Sequence, residues 1–237
     1  PQHMEIDYVR VYENVNYQPP YSLEVRSLGE GEIEISPIQS TYEEGETVNL
    51  LALPGKGYMF TGWAGSFSGD ENPLIIQMNR NMKLMGYFAR EGELLRNPDF
   101  RRGGKNWFLN QFNGAKATMK IEGQMCHINI SDPGPDTWSV QLNQTALSLK
   151  QGYTYKFTFS AFSTKPKRIY AGLAMAYEPY TPYSARIFSL SEKIETYSLT
   201  YKMKDPGDDK VRAFFDIGKH KGDVFIDSVS IIEIEPL

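Results

Sequence analysis

Two short stretches carry the side chains best suited to chemistry: Trp138-Ser-Val-Gln141-Leu-Asn143-Gln144 and, some forty residues later, Tyr177-Glu-Pro-Tyr180-Thr-Pro-Tyr183. Flat aromatic rings can lie against the apolar C–H faces of a sugar ring, while amides and charged groups hydrogen-bond its hydroxyl rim. Together they suit reversible capture of a sugar chain in water. The parts needed for bond-breaking are missing. The 3 His residues are dispersed without metal-ligand spacing, and no nucleophile elbow or phosphate loop occurs. The acidic pairs Glu43-Glu44 and Asp208-Asp209 fall in turn contexts and read as solvated. The residues point to a non-catalytic binding protein.

Such side chains need a rigid surface, and composition says which kind. With 15 Tyr and 13 Phe, and with runs rich in aromatic and β-branched residues separated by Gly, Pro, Asn and Asp, the chain reads as all-β. Its 237 residues allow more than one core. The net charge of -4 and scattered basic residues argue against a nucleic-acid partner. No stretch is long and apolar enough to predict a membrane span. Pro1 reads as a cut end, so the lack of a visible leader leaves export open. The single cysteine, Cys126, cannot form an intramolecular disulfide and reads as a small core residue.

Three segments follow: 1–18, 19–91 and 92–237. In the first, Met4 to Tyr12 alternates so that both faces are partly apolar, the pattern of a covered strand that needs partners. Pro19-Pro20 marks a break. In the second, strands are predicted at 23–26, 31–35, 47–52, 58–63 and 82–88, with turns at Gly29-Glu-Gly31, Glu43-Glu-Gly45, Pro54-Gly-Lys-Gly57 and Gly69-Asp70. Trp63 is expected in the core of this small β unit.

Strand parity in the third segment separates a core face from a working face. Tyr153, Tyr155, Phe157 and Phe159 share one parity and read as buried. Along 169–177 the odd positions are mostly bulky, while Gly172, Ala174 and Ala176 would form a shallow floor on the other face. Val211, Ala213, Phe215 and Ile217 read as core, which leaves Arg212, Phe214 and Asp216 outward with Phe214 as a solvated ring. Val140 and Leu142 point inward, so Gln141 and Asn143 are left to the working face. Trp138 shares the parity of Val140 and reaches that face only if a loop or bulge after Pro133-Gly-Pro-Asp136 turns it outward.

An ordered set of residues in this segment resembles the carbohydrate-binding modules of family 4 and their relatives. It comprises Leu94-Leu-Arg-Asn-Pro-Asp-Phe100, Trp107, Gly123, 138–142, 152–161, Pro179-Tyr180, Phe215-Asp-Ile-Gly218 and Ile226-Asp-Ser-Val229. The resemblance implies a β-jelly roll whose concave sheet holds a glycan in a cleft. By position, Trp138 and Gln141 match an aromatic and a polar groove residue, and Tyr180 lies near a second aromatic platform, with Tyr183 a third candidate. Asp216 matches a polar groove position, Arg186 a groove arginine, and Trp107 a buried one. Arg186 shares parity with Phe188 and Leu190. Such relatives often hold a structural calcium ion away from the groove. Here Asp227 matches the ligand aspartate, Asp99 could supply a carbonyl or carboxylate and Glu122 is a third candidate, although Arg101 stands where an acidic residue is usual.

The second segment, through 42–50, 57–65 and Gly86-Tyr-Phe-Ala89, is similar to the divergent internalin-type B-repeats of bacterial surface and secreted proteins. That implies a small spacer, β-grasp-like or a β-sandwich. Pro1 to Tyr12 resembles the last strand of glycoside hydrolase family 16 catalytic domains, whose catalytic Glu-x-Asp-x-x-Glu strand has no counterpart here. Together these resemblances imply the tail of a secreted or cell-surface bacterial laminarinase. Its third segment would hold a β-glucan, laminarin-type β-1,3-glucan first, near an attached catalytic domain. Mixed-linkage glucan, cellulose chains and xylan are the other glycans to consider. The alternative class is a structural or adhesive module that uses its aromatic face to contact another protein.

Overall fold

The computed structural model describes residues 20–234. The expected strand over Met4–Tyr12 therefore lies outside the described residues, as does its likeness to a catalytic domain. The chain divides into two compact units that meet between Glu91 and Gly92. Both are built of strands, and no described helix is long and apolar enough to cross a membrane.

In the first unit, β1 (Leu23–Leu28), β6 (Met82–Arg90) and β4 (Tyr58–Gly65) form one sheet. The strands β2 (Gly31–Ser36), β3 (Thr47–Pro54) and β5 (Leu74–Gln77) form the other. β1 runs parallel to β6, an uncommon pairing in a small antiparallel unit. Between the sheets lie Val48, Leu50, Trp63, Leu74, Met78 and Leu84, all nearly inaccessible. Trp63 is core, with its indole N–H donated to the Glu71 carbonyl (2.8 Å).

The second unit is a sandwich of two five-stranded sheets. One runs β14 (Glu195–Lys202), β11 (Thr154–Ser163), β16 (Gly222–Ile234), β9 (Met125–Asp132) and β8 (Lys116–Glu122). The other runs β13 (Pro182–Leu190), β12 (Lys167–Met175), β15 (Asp208–Asp216), β10 (Val140–Leu149) and β7 (Phe108–Gln111). Tyr155, Phe157 and Phe159 from the first sheet meet Val140, Leu142, Val211, Ala213, Phe215 and Ile217 from the second in one continuous core. Phe159 is edge-on to Phe188 and to Phe215, with centroids 5.0 and 4.9 Å apart. Cys126 is buried in this core, which pushes its thiol pKa up to about 12.

Parity predicted this core, and the register of the second sheet gives the other face in rows. One row crosses the sheet as Ile187, Tyr170, Asp216, Gln141 and Asn110. The next row is Ala185, Gly172, Phe214, Asn143 and Phe108.

Candidate functional site

The working face is hollowed at one end into a cleft of about 480 Å³, lined by Asn110, Phe112, Trp138, Gln141, Asn143, Thr145, Ala176, Tyr180 and Arg212. Each ring reaches it by a local departure from regular strand. Asp136 opens a single 3-10 turn, Thr137–Ser139, in which Ser139 N–H bonds the Asp136 carbonyl (3.1 Å) and Asp136 N–H bonds the Ser139 hydroxyl (3.2 Å). Ser139 is buried while Trp138 turns outward, 45% exposed. Without this turn the parity of Val140 would send the indole into the core. Phe112 N–H then bonds the Ser139 carbonyl (2.8 Å), which sets the Phe112 ring 5.9 Å from that of Trp138.

Tyr180 comes from the loop between β12 and β13. Its φ of 58° lies in the left-handed region, unusual for a bulky residue, and its N–H bonds the Tyr177 carbonyl (2.7 Å). Such a conformation costs on the order of 1–3 kcal/mol and gathers at functional sites, where the surrounding structure holds it in place. The ring is 48% exposed above Arg212.

The floor is polar and nearly closed to water. Gln141 and Asn143 are each 3% exposed and Asp216 is 6%. Gln141 Nε2 donates to Asp216 Oδ1 (2.6 Å), and Gln141 Oε1 accepts from Arg212 Nη1 (2.6 Å). The Arg212 guanidinium sits 5.3 Å from the ring centroids of both Tyr180 and Phe214. Its Nε is buried without a hydrogen-bond partner. Burial pushes the Asp216 carboxyl up to about 6, opposed by the Gln141 hydrogen bond and by the charge of Arg212. Burial also lowers the Arg212 pKa, opposed by the charges of Asp216 and Tyr180.

The structure brings Trp138, Gln141, Asn143, Tyr180 and Arg212 together, and Asp216 supports them from behind. Other expectations are corrected. Phe214 is not a solvated platform: at 2% exposure it lies beneath Arg212 and against Tyr170 (5.6 Å). Tyr183 leaves the cleft because a register shift near Ala174 makes it the extra residue of β13. It packs against the core, donates its hydroxyl to Asp208 Oδ2 (2.7 Å) and lines a separate hollow with Tyr177. Arg186 pairs with Ala171 in the row of Phe215 and Leu142, so it shares the core-side parity at the edge strand, its guanidinium 4.6 Å from the Phe188 ring. The small-residue floor is largely filled: a side chain at Gly172 would meet the Ser184 carbonyl, and Ala174 is buried. Only Ala176 faces the cleft.

The three carboxylates expected at a calcium site are not gathered around one point. Asp99 Oδ2 is paired with Arg101 Nε (3.1 Å), Glu122 faces His127 (3.5 Å), and Asp227 stands opposite Ser160 on β11. Among the described residues no group of three His, Cys, Asp or Glu is placed to hold an ion. Sequence reasoning missed Asn110, Phe112 and Thr145. The alternation Phe108, Asn110, Phe112 was available as a period-two signal.

Residues 92–222 match the family described as "Carbohydrate binding domain", and residues 21–92 match "Divergent InlB B-repeat domain". A cellulose 1,4-beta-cellobiosidase of Acetivibrio thermocellus is 31% identical over 144 residues, which cover 54% of this chain and 16% of that protein. The chain thus corresponds to a small part of that relative. A solved family 4 carbohydrate-binding module superposes with a TM-score of 0.52 at 26% identity, covering 61% of this chain and 96% of that one. The second N-terminal cellulose-binding domain of Cellulomonas fimi β-1,4-glucanase C aligns with a TM-score of 0.48 at 18% identity, covering 62% and 97%.

Proposed function

The chain belongs to the carbohydrate binding domain family that spans its residues 92–222, and from that premise we propose that its second unit captures a β-glucan chain along the cleft. The observation that carries this reading is the convergence of three exposed rings, Trp138, Phe112 and Tyr180, over a floor of Gln141, Asn143 and Arg212. The rings would stack on successive sugar faces, and the floor would hydrogen-bond the hydroxyls. Stacking on a base is worth about 1–3 kcal/mol, and a sugar ring gains no more. Two or three such platforms contribute about 2–9 kcal/mol, to which the hydroxyl contacts of the floor add against the cost of association. No covalent step is involved, and the unit is a binding module rather than an enzyme.

A laminarin-type β-1,3-glucan is the first candidate, because its curved chain suits a hollowed sheet. A β-1,4-linked chain is the second reading, supported by the 31% identity to part of a cellobiosidase. In the full protein the module would hold an attached, exported glucanase near its substrate, raising local concentration without altering the chemistry. The B-repeat-like unit would serve as spacer. Calorimetric titration against laminari-, mixed-linkage, cello- and xylo-oligosaccharides tests this. Tightest binding of laminari-oligosaccharides is expected, and tighter cello-oligosaccharides would replace the linkage. The glycan reading fails if none binds, or if folded Trp138→Ala and Tyr180→Ala variants bind as the parent does.

A further inference from the structure

The same sheet face becomes basic at its other end. Arg168, Lys219 and His220 line a second cleft of about 280 Å³ whose walls include Thr137, Tyr170 and Ile187. The cations come from the entry to β12, Lys165-Pro-Lys167-Arg168, and from the turn Lys219-His220-Lys221, in a chain whose net charge is -4. Among the described residues, Lys165, Arg168, Lys219 and Lys221 form no ion pair with a carboxylate. The nearby Asp223 has its oxygens on Asn129 Nδ2 (2.6 Å) and His127 Nε2 (3.2 Å), and its charge also reaches Lys167. Lys167 is buried and donates Nζ to the His220 carbonyl (2.7 Å), which ties the start of β12 to the turn at Lys219-His220. Burial, opposed by the charge of Asp223, lowers its pKa to about 8, so it is still mostly charged at neutral pH.

This cleft is stitched to the aromatic one. Gly218 N–H bonds the Thr137 carbonyl (2.7 Å), and Lys219 N–H bonds the Pro133 carbonyl (3.1 Å). A Cβ at Gly218 would meet the carbonyls of Asp136, Thr137 and Pro133, so glycine is required for this approach. Thr137 faces the basic cleft and the next residue, Trp138, faces the aromatic one. Across the sheet the two clefts are joined by the row Tyr170, Asp216, Gln141.

We propose that the basic cleft is a further subsite of the groove that receives a carboxylate, so that the preferred glycan carries a uronic acid beyond the units stacked at Trp138. This rests on the glycan reading of the aromatic cleft. Arg168 offers a planar fork matched to a carboxylate, and Lys219 adds a second cation. Tyr170 and Ile187, the latter 53% exposed, supply the apolar wall against which the sugar ring lies. A free anion would need only the charges, whereas a charged sugar uses both.

The test is calorimetric titration of the full chain with β-glucan oligosaccharides and the same oligosaccharides oxidised at C6, at low salt and at about 1 M salt, where the screening length falls to about 3 Å. At low salt the oxidised chains are expected to bind about tenfold tighter than their neutral parents. High salt should abolish that preference, and so should the Arg168→Ala/Lys219→Ala double substitution, while neutral chains bind the variant unchanged. Both positions are exposed, so folding is not at stake. Equal affinity of oxidised and neutral chains at low salt overturns the subsite, as does a preference that survives the double substitution. If neither kind of chain binds the parent, the groove reading itself falls and takes the subsite with it.

Discussion

Replacing Asp216 by Asn tests whether the floor of the groove carries a buried charge against its own stability. Asp216 is 6% exposed, and its pKa rises from 3.8 to about 6. About two units correspond to about 3 kcal/mol. The sign runs opposite to that of a salt-bridged carboxylate. Because the folded pKa exceeds the unfolded one, the native state keeps a proton that the unfolded chain releases between about pH 4 and 6, and stability falls as pH rises through that window. Above about pH 6 the full cost applies. Asp216→Asn keeps the shape and an oxygen for Gln141 Nε2, but carries no charge. Melting of the second unit should therefore rise by up to about 6–12 °C at pH 8, taking about 2–4 °C per kcal/mol for a domain of this size, and change little at pH 4. Differential scanning calorimetry of both proteins across that range is the assay. A variant less stable than the parent at both pH values, or shifted equally at both, would refute the reasoning. Asp216 would then be needed as an ionised acceptor rather than tolerated as one.

Among the exposed rings, Trp138→Ala, Tyr180→Ala and Phe112→Ala should each weaken glycan binding by about five- to 150-fold, the equivalent of about 1–3 kcal/mol per stacked ring; unchanged calorimetric affinity in a folded variant would remove that ring from the site. Tyr183→Phe should cost about 1 kcal/mol in denaturant unfolding through loss of the bond to Asp208, and should leave affinity untouched; a loss of affinity would return Tyr183 to the groove. Because Asp99, Glu122 and Asp227 are not gathered, a chelator should leave the melting temperature of the second unit within error, and a drop reversed by added calcium would contradict that.

Where a strand is regular, period-two alternation separated core from face. Leu142, Phe157, Ala213 and Phe215 were legible for that reason, as were Gln141, Asn143 and Arg212. The misplacements have separate physical causes. Tyr183 follows a register shift that no local pattern announces. Phe214 keeps its expected parity yet is covered, because Arg212 and Tyr170 fold over it, a contact between strands that sequence alone does not order. Phe112 was overlooked because it enters the groove only through pairing of β7 with β10 and the bond to the Ser139 carbonyl. Arg186 shows the converse. Its parity with Phe188 placed it on the core side, and the resemblance that put it in the groove was the weaker guide.

The same contrast explains how a groove with so little exposed polar surface could be selective. Its floor is an ordered relay: Asp216 fixes which end of the Gln141 amide faces Arg212, and Arg212 is held between Phe214 and Tyr180. An Arg in water would lose rotamer freedom on meeting a sugar, whereas this one is already ordered. The strained Tyr180 and the buried Asp216 carry their cost in the folded protein before any ligand arrives. Loosening the relay should therefore show first as faster dissociation rather than as loss of fold. Gln141→Glu separates the two effects, because it keeps the acceptor for Arg212 but sets a second carboxylate against Asp216. Repulsion should raise both carboxyl pKa values and make glycan release speed up as pH rises from about 5 to 8, whereas pH-independent release would show that the relay does not hold the ring.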